Sequence, residues 1–261
     1  MDMEKFIYKK SSDITVLSAS FTDFTYKKHC HKEYAFGVTL RGIQQYNLDG
    51  SLHSSYKNGV MLFYPEQTHD GRAHDKTGID YVMLYIDPIL FLQLLQKKDI
   101  VRFSSPILYN QALQKSILHL SSAILSEQDE ALCSELLLSL VENFTLTNIC
   151  TTYYKKDNML IKKAKEMIYY KLENVLKLDE ICKEFAMSKF QFIRLFKANI
   201  GISPYQYFLF CKVNRAKQLL EKNKDIYSAI AECGFVDLSH LNKHFKRVYG
   251  ITAFEYKSHL N

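Results

Sequence analysis

The sequence predicts an α+β protein: a small antiparallel β-barrel or sandwich with helices after it, then an all-α domain of two helix-turn-helix units joined by a long helix. Three observations carry this expectation. Aromatic and β-branched runs of strand length, separated by turn residues, fill residues 14–86. From Pro88 the apolar period changes to that of helices. Near the C-terminus, one stretch lies on itself when shifted by 49 residues.

The strand runs are ITVLSASF, YAFGVTL, QQYNL, VMLFY and IDYVMLYI, with turn chemistry at Asp49-Gly50-Ser51 and Asn58-Gly59. After Pro88, ILFLQLLQKK, NQALQKSILHLSSAILSE and EALCSELLLSLVENFTLTNI read as helices. The polar stretch at residues 154–158 marks a boundary, which divides the chain into 1–87, 88–153 and 158–258. Helices are expected near 158–173, 178–185, 189–199, 204–221, 226–233, 238–248 and 253–258. Ser203 before Pro204 is a start signal, a hydroxyl cap followed by a proline that needs no N–H partner.

With 47% apolar residues in 261, the chain can bury a full core. No uncharged apolar run approaches the ~18 residues of a spanning helix, and the start has no apolar leader core, so a cytoplasmic protein without a membrane partner is expected. The six cysteines are scattered without a CxxC pair and read as reduced, packed thiols. The net charge of +6 is uneven. From Thr151 onward 20 lysines and arginines face 11 acidic residues, while the first 150 residues carry a net −3. A basic half beside a mildly acidic one is the footprint of a polyanion binder.

The repeat places Ile181 on Ile230, Phe196 on Phe245, Lys197 on Lys246, Gly201 on Gly250, Ile202 on Ile251 and Tyr207 on Tyr256. Each copy reads as helix, turn, capped helix and glycine stop, with the units at about 178–199 and 226–248. In the second helices, Phe192, Leu195 and Phe196, then Leu241 and Phe245, fall on an inward face. The outward faces carry Phe190, Gln191, Ile193 and Arg194, then Ser239, His240, Asn242 and Lys243. Such side chains can read base edges: Arg and Lys suit guanine, Asn and Gln adenine, and apolar groups the thymine methyl. Lys189, Lys197, Lys246 and Arg247 suit phosphates. A solvated polar face explains either helix alone; two at equivalent positions favour DNA. Residues 204–221 between them span about 27 Å as a helix, with Tyr205, Leu209, Val213, Ala216 and Leu220 as its packing stripe. Such a rod can set two recognition helices roughly 34 Å apart, one turn of B-DNA.

ISPYQYFLFCKVNRAKQLL followed by IAECGFVDLSHLNKHFKRVYGITAFEYK resembles the AraC/XylS family of transcription regulators over residues 159–258. Leu241, Ala253 and Lys212 stand where that family usually has Phe, Pro and Arg. The resemblance implies a double-stranded promoter DNA partner, RNA polymerase, activation more often than repression, and DNA contact by the two exposed faces. Less specifically, HCHKEYAFGVTLRG and NGVMLFYPEQTHDG resemble elements of the cupin-like sensor barrel of that family. This implies a small-molecule effector site, for which His31, Tyr34, Tyr46, His69 and Tyr85 are the candidates. It also implies a homodimer through residues 88–153, for which Leu132, Leu136, Leu140 and Phe144 are candidates beside a plain core reading.

His29, His31, Glu33 and His69 raise a second class, a metal-dependent cupin enzyme with an accessory DNA domain. Glu33 follows His31 by only two residues, unlike the usual enzyme spacing, and no phosphate-binding glycine loop or GxSxG turn is present. The sequence therefore assigns no catalytic residue, no metal and no cofactor. A third class, an architectural binder of low sequence preference, is separated from a specific regulator by selection from random duplexes.

Overall fold

The structure is a computed structural model that describes residues 4–151 and 158–260. The expected boundary at 154–157 and the end of the expected segment at 153 lie outside the described residues. Two compact units form, one from the described residues up to Thr25 and from Cys30 to 151, the other from Tyr26–His29 and the helices between 158 and 259.

The first nine strands in chain order are β1 (Lys5–Ser11), β2 (Ile14–Phe21), β3 (Thr25–His29), β4 (Tyr34–Arg41), β5 (Gln44–Leu48), β6 (Ser51–Ser55), β7 (Val60–Phe63), β8 (His69–Ala73) and β9 (Ile79–Ile86). Helix α1 (Pro88–Leu94) follows, then the two-residue strands β10 (Arg102–Phe103) and β11 (Ile107–Leu108). Helices α2 (Gln111–Leu125) and α3 (Glu130–Leu146) lead to β12 (Cys150–Thr151).

The strands make a six-stranded sheet, β1-β2-β9-β4-β7-β11, and a four-stranded sheet, β3-β8-β5-β6. Each sheet ends in edge strands, so the expected barrel is corrected to a cupin-like pair of sheets that does not close. The chain passes from β4 in the larger sheet to β5 in the smaller one across Gly42, which has φ +73°. At Asp49-Gly50 both φ angles are positive (+50° and +85°), and Leu48 pairs with Ser51, which is the tight hairpin the Asp-Gly signal predicts.

Strand parity sorts the interior into two layers, because successive side chains point to opposite faces. Tyr34, Phe36 and Val38 of β4, Val60 and Leu62 of β7, and Val82, Leu84 and Ile86 of β9 share one core with α1, α2 and α3. Its centre is aromatic: Phe36 lies 4.5 Å from Phe144 and 5.1 Å from Phe91, ring to ring. Each such ring removes a large apolar area from water, at roughly 1.5–3 kcal/mol per side chain. The alternate residues, among them Met61, Phe63, Met83 and Tyr85, point away from that core and are also buried.

The second unit is helical: α4 (Met159–Tyr169), α5 (Leu178–Glu184), α6 (Lys189–Ile200), α7 (Pro204–Glu221), α8 (Ile226–Glu232), α9 (Leu238–Tyr249) and α10 (Ala253–Leu260). Helix α7 is the expected 18-residue spacer, begun by Pro204 behind the Ser203 cap. Its packing stripe differs from the expected one. Tyr205 is exposed and Leu209 half-buried, while Tyr207, Phe208, Phe210, Cys211, Val213 and Ala216 are buried. The helix is covered on most sides, as a rod with helices packed around it must be.

Candidate nucleic-acid interface

Two helix pairs, α5–α6 and α8–α9, carry the repeated ends that the sequence suggested. Ser188 caps α6 in a reciprocal box: its hydroxyl accepts from Gln191 N–H, and the Gln191 side chain accepts from Ser188 N–H. Asp237 caps α9 by accepting from His240 N–H at 2.7 Å. Both helices stop at left-handed glycines, Gly201 (φ +84°) and Gly250 (φ +79°). The helices that follow repeat the same box: Ser203 with Gln206 on α7, Thr252 with Glu255 on α10.

The register of the repeat is more detailed than a single shift. The second helices match at 49 residues, Lys189 on Leu238. The first helices match at 48, Leu178 on Ile226, and so do the turn bonds, Met187 N–H to Cys182 O and Phe235 N–H to Ile230 O. One extra residue in the second turn absorbs the difference. Ile230 is therefore the structural equivalent of Cys182, not of Ile181.

The turn positions Ala186 (φ +49°) and Gly234 (φ +61°) are equivalent, yet only the second demands glycine. A Cβ on Gly234 would stand 2.2 Å from the Glu173 carbonyl oxygen. Lys212 of α7 fixes this turn from beneath. Its buried ammonium donates to the Gly234 carbonyl at 2.8 Å and lies 4.7 Å from the centre of the Phe208 ring. Burial pulls its pKa below the usual lysine value.

Phe192 and Phe196 of α6 and Leu241 and Phe245 of α9 are fully buried, which turns the opposite faces outward. Phe190 (76% exposed), Arg194, Ser239 and Lys243 stand open to solvent, with Ile193 half-buried. Three expected base readers also make local contacts. The Gln191 amide oxygen accepts from Ser188 N–H at 2.9 Å, the Asn242 amide oxygen accepts from Ala253 N–H at 3.0 Å, and the His240 ring lies between Phe235 and His244. Among the phosphate candidates, Lys197, Lys246 and Arg247 are exposed, whereas Lys189 makes an ion pair with Asp179 at 2.8 Å. Val236 (84% exposed), just before the Asp237 cap, is an apolar side chain at the tip of α9 that the sequence reading passed over. Its place immediately ahead of an N-cap is the signal that could have found it.

In the first unit, four of the five effector candidates gather on one side of the larger sheet. The His31 ring lies 5.1 Å from His69 and 4.9 Å from Tyr85, His69 stacks on Phe63 at 4.3 Å, and Tyr46 meets Phe63 at 5.1 Å. Tyr34 is on the opposite face by strand parity, with its hydroxyl bonded to Val101 N–H and C=O in the helix-covered core. Burial holds the His69 pKa down to about 4, so its ring is neutral near pH 7. Of the dimer candidates, Leu140 and Phe144 lie in the protein's own core and Leu136 packs beside it, leaving Leu132 at the surface of α3.

Residues 11–141 match the family model of the AraC-like ligand binding domain, and residues 181–259 match that of a helix-turn-helix domain. The chain belongs to the AraC family of DNA-binding transcription regulators. Within that family it is 25% identical over 225 residues to the HTH-type transcriptional regulator YbfI of Bacillus subtilis (strain 168), which covers 83% of this chain and 81% of that protein. The lactose operon transcription activator of Staphylococcus xylosus is 26% identical over 102 residues, 39% of this chain and 37% of that one. Among solved structures, unsaturated fatty acid bound ToxT of Vibrio cholerae has a TM-score of 0.63 and 14% identity, covering 100% of this chain and 98% of that one. An apo ToxT variant gives 0.64 and 13%, covering 97% and 100%. At such identities the likeness is one of fold. No helix among the described residues is long and apolar enough to cross a membrane.

Proposed function

We propose that this AraC-family regulator reads two successive major-groove segments of one duplex with a single chain. The observation that carries the reading is the pair of helices α6 and α9, identically stopped, similarly capped and attached to opposite ends of one 18-residue helix. On α6, Arg194 and Phe190 contact base edges, with Ile193 at their margin. On α9, Ser239 and Lys243 do so, with Val236 touching a thymine methyl. Lys197, Lys246 and Arg247 bind phosphates, which set register and carry no sequence information. Asn242, Gln191 and His240 act by fixing helix ends and the α9 surface.

The N-terminal domain acts as the sensor that sets promoter engagement. Its match to a ligand-binding domain model and the small molecule bound by a ToxT of similar fold support this reading. The named activator among its relatives favours activation. In this reading the protein works with RNA polymerase in the cytoplasm as a homodimer. Selection of binding sites from random duplexes, followed by footprinting of the full-length chain, tests the proposal. A recovered motif with two protected major-groove segments about one helical turn apart supports it. Recovery of no motif would instead mark a binder of low preference.

A further inference from the structure

The structure assigns the outer edge of β6 a role that none of the comparisons gives it: antiparallel pairing with β6 of a second copy of this chain, which joins the smaller sheets of the two copies edge to edge. The inference rests on the homodimer proposed for this protein and names its interface. β6 ends its sheet, and among the described residues no strand pairs with its outer side. The other outer strands of the two larger sheets are guarded against such pairing. β1 carries Lys5, Lys9 and Lys10, β3 carries Lys27 and Lys28, and β11 is two residues long. β6 reads SLHSS, without a lysine, arginine, carboxylate or proline, and its Leu52 is exposed.

The hairpin sets which backbone groups face outward. A two-residue turn closes with the N–H after it on the carbonyl before it, so Ser51 faces Leu48 of β5. Alternation along the ladder then turns the N–H and C=O of Leu52 and Ser54 away from β5. Beyond Ser54 the edge is closed. Tyr56 N–H donates to the Tyr109 hydroxyl at 3.2 Å, and Tyr56 C=O accepts from Gly59 N–H at 2.8 Å. A two-fold axis at His53 uses the outward groups fully: Leu52 stands opposite the partner's Ser54, Ser54 opposite the partner's Leu52, and each pair exchanges both bonds. The same register is complementary past the strand ends. Asp49 falls opposite the partner's Lys57, and both positions are exposed. The exposed Tyr56 falls opposite the partner's Gly50, where a Cβ would meet nothing within 4 Å, and diagonal to the partner's Leu52. Moving the axis by one residue pairs Leu52 or Ser54 with its own copy and loses the charge match.

Sedimentation of the full-length chain over a range of concentrations, together with cross-linking, tests the interface. Wild type is expected to dimerise. Ser54→Pro removes one outward N–H from each copy and leaves the bonds to β5, so it should weaken the dimer by more than about tenfold. Lys57→Glu should weaken it at low salt and less at high salt. His53→Cys lies on the axis, where a pair without hydrogen bonds brings the two Cα atoms to about 4.5 Å, within disulfide reach. Mild oxidation should cross-link two copies of that variant, which keeps the test open where Ser54→Pro fails to fold. Wild type and Ser51→Cys, which faces the partner's Ser55, should not cross-link. A dimer that Ser54→Pro and Lys57→Glu leave intact, and that His53→Cys does not cross-link, overturns this interface while the homodimer stands. A dimer that only Leu132→Lys dissociates overturns it too and moves the contact to α3. A wild-type chain that stays monomeric overturns the interface and the homodimer together, and leaves the edge to a strand of another protein. Footprints on DNA report on the two-segment reading separately.

Discussion

The Lys212 ammonium donates a hydrogen bond to the Gly234 carbonyl at 2.8 Å, tying the spacer helix to the turn ahead of the second recognition helix. Gly234 can occupy that turn only without a side chain, because its φ is +61° and a Cβ would strike the Glu173 backbone. Gly234→Ala should cost about 1–3 kcal/mol from its backbone conformation alone, plus the clash. Lys212→Met should keep the packing volume and cost about 1–3 kcal/mol through the unanswered carbonyl. Urea unfolding of both variants measures this, and the account expects the glycine change to be the worse.

A second tie joins α7 to α10. Lys217 and Glu221 form a buried ion pair at 3.3 Å, and Tyr256 donates to Glu221 at 2.6 Å. Glu221→Ala leaves a buried cation without its carboxylate and should cost about 3–5 kcal/mol. Glu221→Gln retains an acceptor for Tyr256 and should cost less. Equal losses would show that the charge contributes nothing.

Base and backbone contacts separate in competition binding. Arg194→Ala should cost about 1–3 kcal/mol on the preferred duplex and relax selectivity in one groove segment. Lys246→Ala should weaken every duplex alike and flatten the salt slope by about one unit. Asn242→Ala should lower unfolding stability by about 1 kcal/mol through the lost cap on α10, with no change in which base is preferred. A shift of base preference in that variant would return Asn242 to the reading face.

Much of this architecture is legible in the sequence, and the exceptions have physical causes. Five strands announced themselves because β-branched and aromatic residues mark half-buried positions. Strands β3 (TYKKH) and β8 (HDGRA) carry charges and a glycine, so no run of apolar residues betrays them. Tyr34 was misplaced because its side of the sheet depends on register, which a strand pattern alone does not give when both faces are buried. Asn242 and Gln191 have the right chemistry for adenine, but only the folded helix ends show that their amide oxygens accept from backbone N–H groups. Leu140 and Phe144 satisfy a helical stripe whether a partner chain or the sheet covers it, and here the sheet covers it. The turn-plus-helix repeat was legible because caps and glycine stops are local signals. Its extra turn residue was not, since an ungapped shift cannot show an insertion.

Acid should destabilise the second unit through His244. Burial, then the neighbouring His240, Arg247 and Lys243, hold its pKa down to about 4, against 6.5 for the ordinary ring. Between those values the unfolded chain binds more protons, so stability is full above about pH 6.5 and falls as pH drops towards 4. The difference in urea midpoint between pH 7.5 and pH 5 should shrink in His244→Gln. An unchanged difference would assign the acid sensitivity elsewhere.

Hydroxyl-radical footprinting of the full-length chain on a selected duplex tests the central claim most directly. Two protected stretches per bound chain on one face of the duplex, about 10 base pairs apart, with the α6-side stretch selectively weakened in Arg194→Ala and the α9-side stretch in Lys243→Ala, are predicted. A lone protected segment per bound chain, or two that weaken together in either variant, would contradict it.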